Sequence, residues 1–258
     1  QNAADPQIAT APDGTTTATV HLNGGTYGVE ASTRPPGGSF GAPVDVSGAE
    51  DLHPPQITIA PDGTTTVVWT GKYFNRWVVR GSTRPPGGSF GAPVDVSETP
   101  LGPFPHAPKI TTAPDGTTTA IWALADGRFS WTSFVVQAST RPPGGDFGSP
   151  VDVSASGQVL NFGLDPQIAT APDGTTTALW TSSDGTNELV RASTRPPGGA
   201  FGAPVDLSAS GQTALLPQIT VGPDGTATAA WYASDGASAI VWTSTRPPGG
   251  AFGAPVGI

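Results

Sequence analysis

The chain has 258 residues, 36% of them hydrophobic, with 35 Gly, 29 Pro and no Cys, and its formal net charge is −9. That charge excludes nucleic acid, whose binding depends on neutralising phosphates with Lys and Arg, and disfavours an anionic membrane surface. No apolar run approaches the roughly 18 residues that a membrane span needs, so no membrane insertion is expected, and without Cys there is no disulfide or thiolate chemistry.

The chain opens at Gln1, with no initiator Met and no signal-peptide pattern. Together with a Lys-poor composition rich in Thr, Gly, Pro and Ala, this reads as a processed, secreted (extracellular) chain or an edited sequence. From there one motif repeats. Pro-Asp-Gly-Thr occurs five times, with its acid at Asp13, Asp62, Asp115, Asp173 and Asp224. Ser-Thr-Arg-Pro-Pro-Gly-Gly also occurs five times, with its cation at Arg34, Arg84, Arg141, Arg195 and Arg246. A Gly and Pro excess with a long period marks turns between short strands, not disorder.

The copy from Pro166 to Ser208 shows the unit most plainly. A first strand is predicted over Gln167–Ala171, and Pro172-Asp173-Gly174 turns it. A second strand covers Thr175–Thr181, followed by the turn Ser183-Asp184-Gly185. A third covers Leu189–Thr194, and Arg195-Pro196-Pro197-Gly198-Gly199 turns it into a fourth over Phe201–Leu207. Four antiparallel strands in a unit of about 50 residues match a propeller blade. An immunoglobulin-like sandwich needs about 100 residues. A β-solenoid remains the alternative, although its usual rungs are shorter. The fold expected is all-β, a single five-bladed β-propeller over residues 1–258, with blades at 1–47, 48–97, 98–154, 155–208 and 209–258. The first strands begin near Gln7, Gln56, Lys109, Gln167 and Gln218. Each blade is contiguous sequence, with no strand exchanged between termini. Trp69, Trp122, Trp180 and Trp231 recur at one position of the second strand, where the first copy has Val20. They are expected to fill the space between blades.

Residues 82–94, Ser-Thr-Arg-Pro-Pro-Gly-Gly-Ser-Phe-Gly-Ala-Pro-Val, resemble a degenerate Asp-box of the sialidase-like (BNR) propellers. That box sits in the hairpin between the third and fourth strands, as this segment does. The box Asp is absent here, Arg-Pro-Pro stands in its place, and Phe replaces the usual Trp. The resemblance implies a propeller; because the box is structural in that family, it implies no activity.

Antiparallel connectivity puts the two repeated turns at one end of every blade and the variable loops at the other. Binding residues favour variable loops held by a rigid scaffold. The repeated Arg and Asp residues read as scaffold, with Arg84–Asp95 and Arg141–Asp152 as the pairs expected across their hairpins. The second copy carries Lys72-Tyr73-Phe74-Asn75-Arg76-Trp77 in its variable loop, and the third carries Asp126-Gly127-Arg128-Phe129-Ser130-Trp131. His53 and His106 lie in the adjacent links. Tyr73 and Trp131 are the candidates to stack on a ligand ring, and Asn75 and Arg76 to hydrogen-bond its hydroxyls or a carboxylate. Lys72, Arg76 and Arg128 make the patch cationic. Trp77 aligns with Tyr27 and Phe134 and reads as core. Lys109 interrupts the Gln series of the first strands and reads as a solvated cation.

His21, His53 and His106 share no ligand spacing, so no metal is expected, nor any other cofactor. Most acids belong to the repeated turns, and Glu30, Glu50, Glu98 and Glu188 have no catalytic setting, so no catalytic residues are assigned and a glycosidase is disfavoured. The sequence points to a non-catalytic extracellular binding module, lectin-like, whose partner is a carbohydrate or a protein surface. A structural, adhesive or assembly protein with no small ligand is the alternative.

Overall fold

The computed structural model describes residues 2–23, 27–48, 53–73, 76–98, 108–125, 134–154, 166–234 and 239–258. They form twenty strands in five four-stranded sheets, with no helix among the described residues. Blade 1 holds β1 (Asn2–Thr10), β2 (Thr16–Asn23), β3 (Gly28–Arg34) and β4 (Val44–Asp45); blade 2 holds β5 (Gln56–Ile59), β6 (Thr65–Tyr73), β7 (Arg76–Arg84) and β8 (Val94–Asp95). Blade 3 holds β9 (Lys109–Thr112), β10 (Thr118–Ala125), β11 (Phe134–Arg141) and β12 (Val151–Asp152); blade 4 holds β13 (Gln167–Thr170), β14 (Thr176–Ser183), β15 (Glu188–Arg195) and β16 (Val205–Asp206). Blade 5 holds β17 (Thr213–Val221), β18 (Ala227–Ser234), β19 (Ala239–Arg246) and β20 (Val256–Gly257). Every sheet keeps its four consecutive strands in chain order, so no strand is exchanged. This is the five-bladed β-propeller class that the repeat predicts. By its contacts the chain divides into two compact units, Gln1–Ala120 with Ser139–Pro150, and Ile121–Ala138 with Val151–Ile258.

The repeated phrases build the blade end. In blade 4, Gly174 N–H donates to the Ala171 carbonyl at 2.8 Å, and the Asp173 carboxylate accepts from Thr175 N–H at 2.8 Å. Gly174 sits at φ +87°, and a Cβ there would meet Pro197 Cγ at 3.1 Å. The Pro-Asp-Gly turn and the Arg-Pro-Pro hairpin therefore press together, which confirms that both lie at one end. The hairpin is closed by the Ser of Ser-Thr-Arg. Ser32, Ser82, Ser139, Ser193 and Ser244 each donate Oγ–H to a glycine carbonyl nine residues on, at 2.6–2.7 Å.

Three expectations need correction. The fourth strand is two residues long, not the run Phe201–Leu207. Pro204 has no N–H to give to a ladder, and Gly202 is tied back to the Thr194 carbonyl at 3.0 Å. Beyond Asp206 a side chain takes over, as Val190 N–H donates to Ser208 Oγ at 3.0 Å. Next, β1 and β17 begin at Asn2 and Thr213, upstream of Gln7 and Gln218. Both pass through a register shift at a proline, Pro6 or Pro217, beside a residue of positive φ, Asp5 or Leu216. Finally, the hairpin arginines do not pair with the hairpin acids. Asp95 takes Arg80 at 3.0 Å, Asp206 takes Arg191 at 2.6 Å, and Asp152 accepts from Gln137 at 2.8 Å. These are the residues directly opposite in register. Arg84 stands four residues further along its strand, about 13 Å away at the usual rise.

Arg84 instead reaches into the neighbouring blade. Its guanidinium donates to Thr33 at 2.9 Å and Thr17 at 2.9 Å in blade 1, and to Thr65 at 3.0 Å in its own blade. Burial lowers its pKa. Arg141 donates to Thr66 of blade 2 and Thr118 of blade 3 in the same way. The apolar contact runs alongside. Val29, Ala31 and Val46 of blade 1 enclose Val67 and Trp69 of blade 2. In the second unit, Val136, Ala138 and Val153 of blade 3 enclose Ala178 and Trp180 of blade 4, and Val190, Ala192 and Leu207 of blade 4 enclose Ala229, Trp231 and Ala233 of blade 5. Trp69, Trp180 and Trp231 are the inter-blade core that their spacing suggested, and Trp122 is likewise fully buried.

Candidate functional site

β6 and β7 form a hairpin in which Lys72 faces Trp77 and Tyr73 faces Arg76. The link into blade 2 returns along the same hairpin, because His53 N–H donates to the Thr70 carbonyl at 2.8 Å. This places the His53 ring edge-on to Trp77, with ring centroids 5.1 Å apart and planes at 68°. Lys72 Nζ lies 5.9 Å from the same indole. Lys72 and Arg76 are exposed, and Trp77 and His53 are half-buried. The structure thus gathers His53 and Lys72 of the expected residues around an indole that the sequence assigned to the core, while Arg76, paired with Tyr73 at the adjacent register position, is exposed.

Trp77 is neither core nor fully solvated. Its two aligned positions diverge: Tyr27 is exposed and Phe134 is buried. The signal that would have placed Trp77 in the patch is its position opposite Lys72 across a short turn. Asn75, Trp131 and His106 lie outside the described residues, as does Arg128, and of Tyr73 only the backbone is described. Among the described residues no group of three or more His, Cys, Asp or Glu could hold a metal ion. His21 lies apart, 3.6 Å from Asp5.

Chemically, the patch offers one aromatic surface, an exposed cation and an imidazole. An indole fixed by a T-shaped neighbour loses little entropy when a ring stacks on it. The lysine head beside it can donate to hydroxyls or a carboxylate.

The repeated end of the blades holds a second concavity. A cavity of about 340 Å³ between blades 1 and 2 is lined by Thr33, Val44, Asp45, Arg84, Ser89 and Phe90, among others. Asp45 faces Glu30 across the strands, where the hairpins of blades 2, 3 and 4 place Arg80, Gln137 and Arg191. Its Oδ1 instead caps its own turn, accepting from Ser47 N–H and Gly48 N–H, each at 3.0 Å. The sequence reading reserved this end for scaffold and missed the cavity.

No protein-family model matches the chain, and no curated protein matches it. Solved structures do. A protein of unknown function from Dyadobacter fermentans aligns over 99% of this chain and 93% of its own, at a TM-score of 0.58 and 12% identity. The BP39L lectin from Burkholderia pseudomallei aligns over 98% of this chain and 84% of its own, at 0.58 and 12%. An ulvan lyase, of a new polysaccharide lyase family, aligns over 96% of this chain and 69% of its own, at 0.62 and 10%. At such identities the likeness concerns the fold alone.

Proposed function

We propose that the protein is a non-catalytic, extracellular carbohydrate-binding module of lectin type, acting through the variable end of blade 2. The observation that carries this reading is the indole of Trp77, steadied by His53 and flanked by Lys72, with Arg76 exposed at the adjacent position of the same hairpin. A sugar ring presents an apolar face to stack on such an indole and hydroxyls to the cations around it. In a chain of net charge −9, a local cationic patch favours neutral or acidic glycans over cationic partners. A lectin and a lyase acting on a polysaccharide both use folds of this kind, which makes the reading compatible with the scaffold. The test is a glycan array on the purified protein, followed by titration at two salt concentrations. Binding of a uronate- or sulfate-bearing glycan that weakens with salt is expected. An array with no binder would overturn the reading, and hydrolysis or elimination of a bound glycan would overturn its non-catalytic part.

A further inference from the structure

The cavity at the repeated end lies between blades 1 and 2, and all of its wall belongs to the first unit. Its volume is about 340 Å³, and small-molecule sites begin at about 300 Å³. Arg84 is part of that wall and is only 9% exposed. Its Nη1 donates to Thr33, and its Nη2 to Thr17 and Thr65. Its Nε has no hydrogen-bond partner among the described residues, and none of their carboxylates forms an ion pair with it. Hydroxyls therefore occupy the ends of the guanidinium and leave its charge unbalanced. A buried cation without a counter-ion is costly.

The next hairpin of the same unit meets that cost internally. Burial lowers the pKa of Arg141 as it does that of Arg84, but Asp62 and then Asp146 raise it again. Asp146 directly follows the Gly-Gly of its hairpin. At that position blade 2 carries Ser89, and Ser89 lines the cavity. Where blade 3 has a carboxylate of its own, blade 2 has a hydroxyl and a space.

The rest of the wall narrows the ligand. Val44 and Phe90 supply an apolar side, with Arg84 Cζ 5.6 Å from the centre of the Phe90 ring. Thr33 and Ser89 carry hydroxyls. Asp45 carries a carboxylate whose Oδ1 already accepts from Ser47 and Gly48 N–H groups. Its remaining lone pairs can accept from a ligand hydroxyl, while its charge repels a bare inorganic anion. We propose that this cavity binds a small hydroxylated carboxylate of the uronic acid class, at a site separate from the Trp77 patch. The ligand carboxylate balances Arg84, the ring lies against Phe90 and Val44, and ring hydroxyls meet Asp45, Thr33 and Ser89.

The test is calorimetric titration of glucuronate, with glucose as the neutral control, into the full chain carrying Trp77→Ala, which removes stacking at the variable end. Glucuronate is expected to bind, and glucose to bind at least about tenfold more weakly, because hydrogen bonds to a charged group are the stronger ones. Adding Ser89→Asp to that chain gives the hairpin the residue type that blade 3 carries as Asp146. It is expected to weaken glucuronate by a similar factor and to leave the melting temperature at or above its starting value. Adding Ser89→Ala instead, the residue type of Ala200 and Ala251 in blades 4 and 5, is expected to leave most of the binding, since the cation stays unbalanced. Absence of glucuronate binding, or glucose binding as tight, overturns the proposal. So does a folded Ser89→Asp chain that binds glucuronate undiminished, or a Ser89→Ala chain that loses as much as Ser89→Asp. None of these results bears on the variable end, whose glycan is titrated with Trp77 in place.

Discussion

The two ends of blade 2 are made from the same strands and do opposite things with their polar groups. At the repeated end, Arg84 is enclosed by three threonine hydroxyls, Ser82 closes its hairpin, and Asp62 caps its turn. Those groups are occupied by the scaffold. At the variable end, Lys72 and Arg76 are exposed and Trp77 is half-buried against His53. The difference teaches that repetition here marks groups consumed by folding. Departure from the repeat marks groups that the scaffold leaves exposed.

Substitutions can break this contrast. The largest effect is expected from Trp69→Ala, which removes a fully buried indole between blades and should cost about 3–5 kcal/mol in chemical denaturation. Arg84→Ala should follow, at about 2–3 kcal/mol, since it removes charge-assisted hydrogen bonds that join two blades. If either variant unfolds at the parent's denaturant midpoint, the repeated end is not the scaffold described here.

Much of the scaffold could be read from residues alone. The turn chemistry of Pro-Asp-Gly and the five-fold spacing predict strands and blade count, and the tryptophan position predicts the core. The arginine partners were hidden because they lie on the preceding blade, a relation that no local spacing encodes. The fourth strand was overestimated because its β-like composition conceals Pro204 and the tie from Gly202. At the site, Lys72, Arg76 and His53 stood out as departures from the repeat. Trp77 did not, because alignment with Phe134 suggested burial. Its exposure depends on the course of the link carrying His53, which only tertiary structure determines.

A smaller effect sharpens the contrast through pH. The backbone hydrogen bond from Thr175, above all, holds the Asp173 carboxyl below its usual pKa. A carboxylate depressed in the folded state contributes stability above its unfolded pKa, near 3.9, and loses it as pH falls through the folded value. Asp173 is exposed, so its share is small. Parent and Asp173→Asn melting curves should differ at neutral pH and converge as the pH falls below the unfolded value and through the lower folded one. A constant difference across that range would show that the carboxylate charge has no part in holding the turn.

The measurement that bears most directly on the function is calorimetric titration of the array-identified glycan into the parent and into a Lys72→Ala/Trp77→Ala variant. A stacked aromatic is worth about 1 kcal/mol beyond its buried area, so loss of the indole alone should weaken binding roughly fivefold to tenfold, and loss of the cation should weaken it further. The melting temperature is expected to stay close to the parent's, because Lys72 is exposed and Trp77 only half-buried. A variant that folds normally and binds the glycan as tightly as the parent would contradict the account and move the site away from the variable end of blade 2.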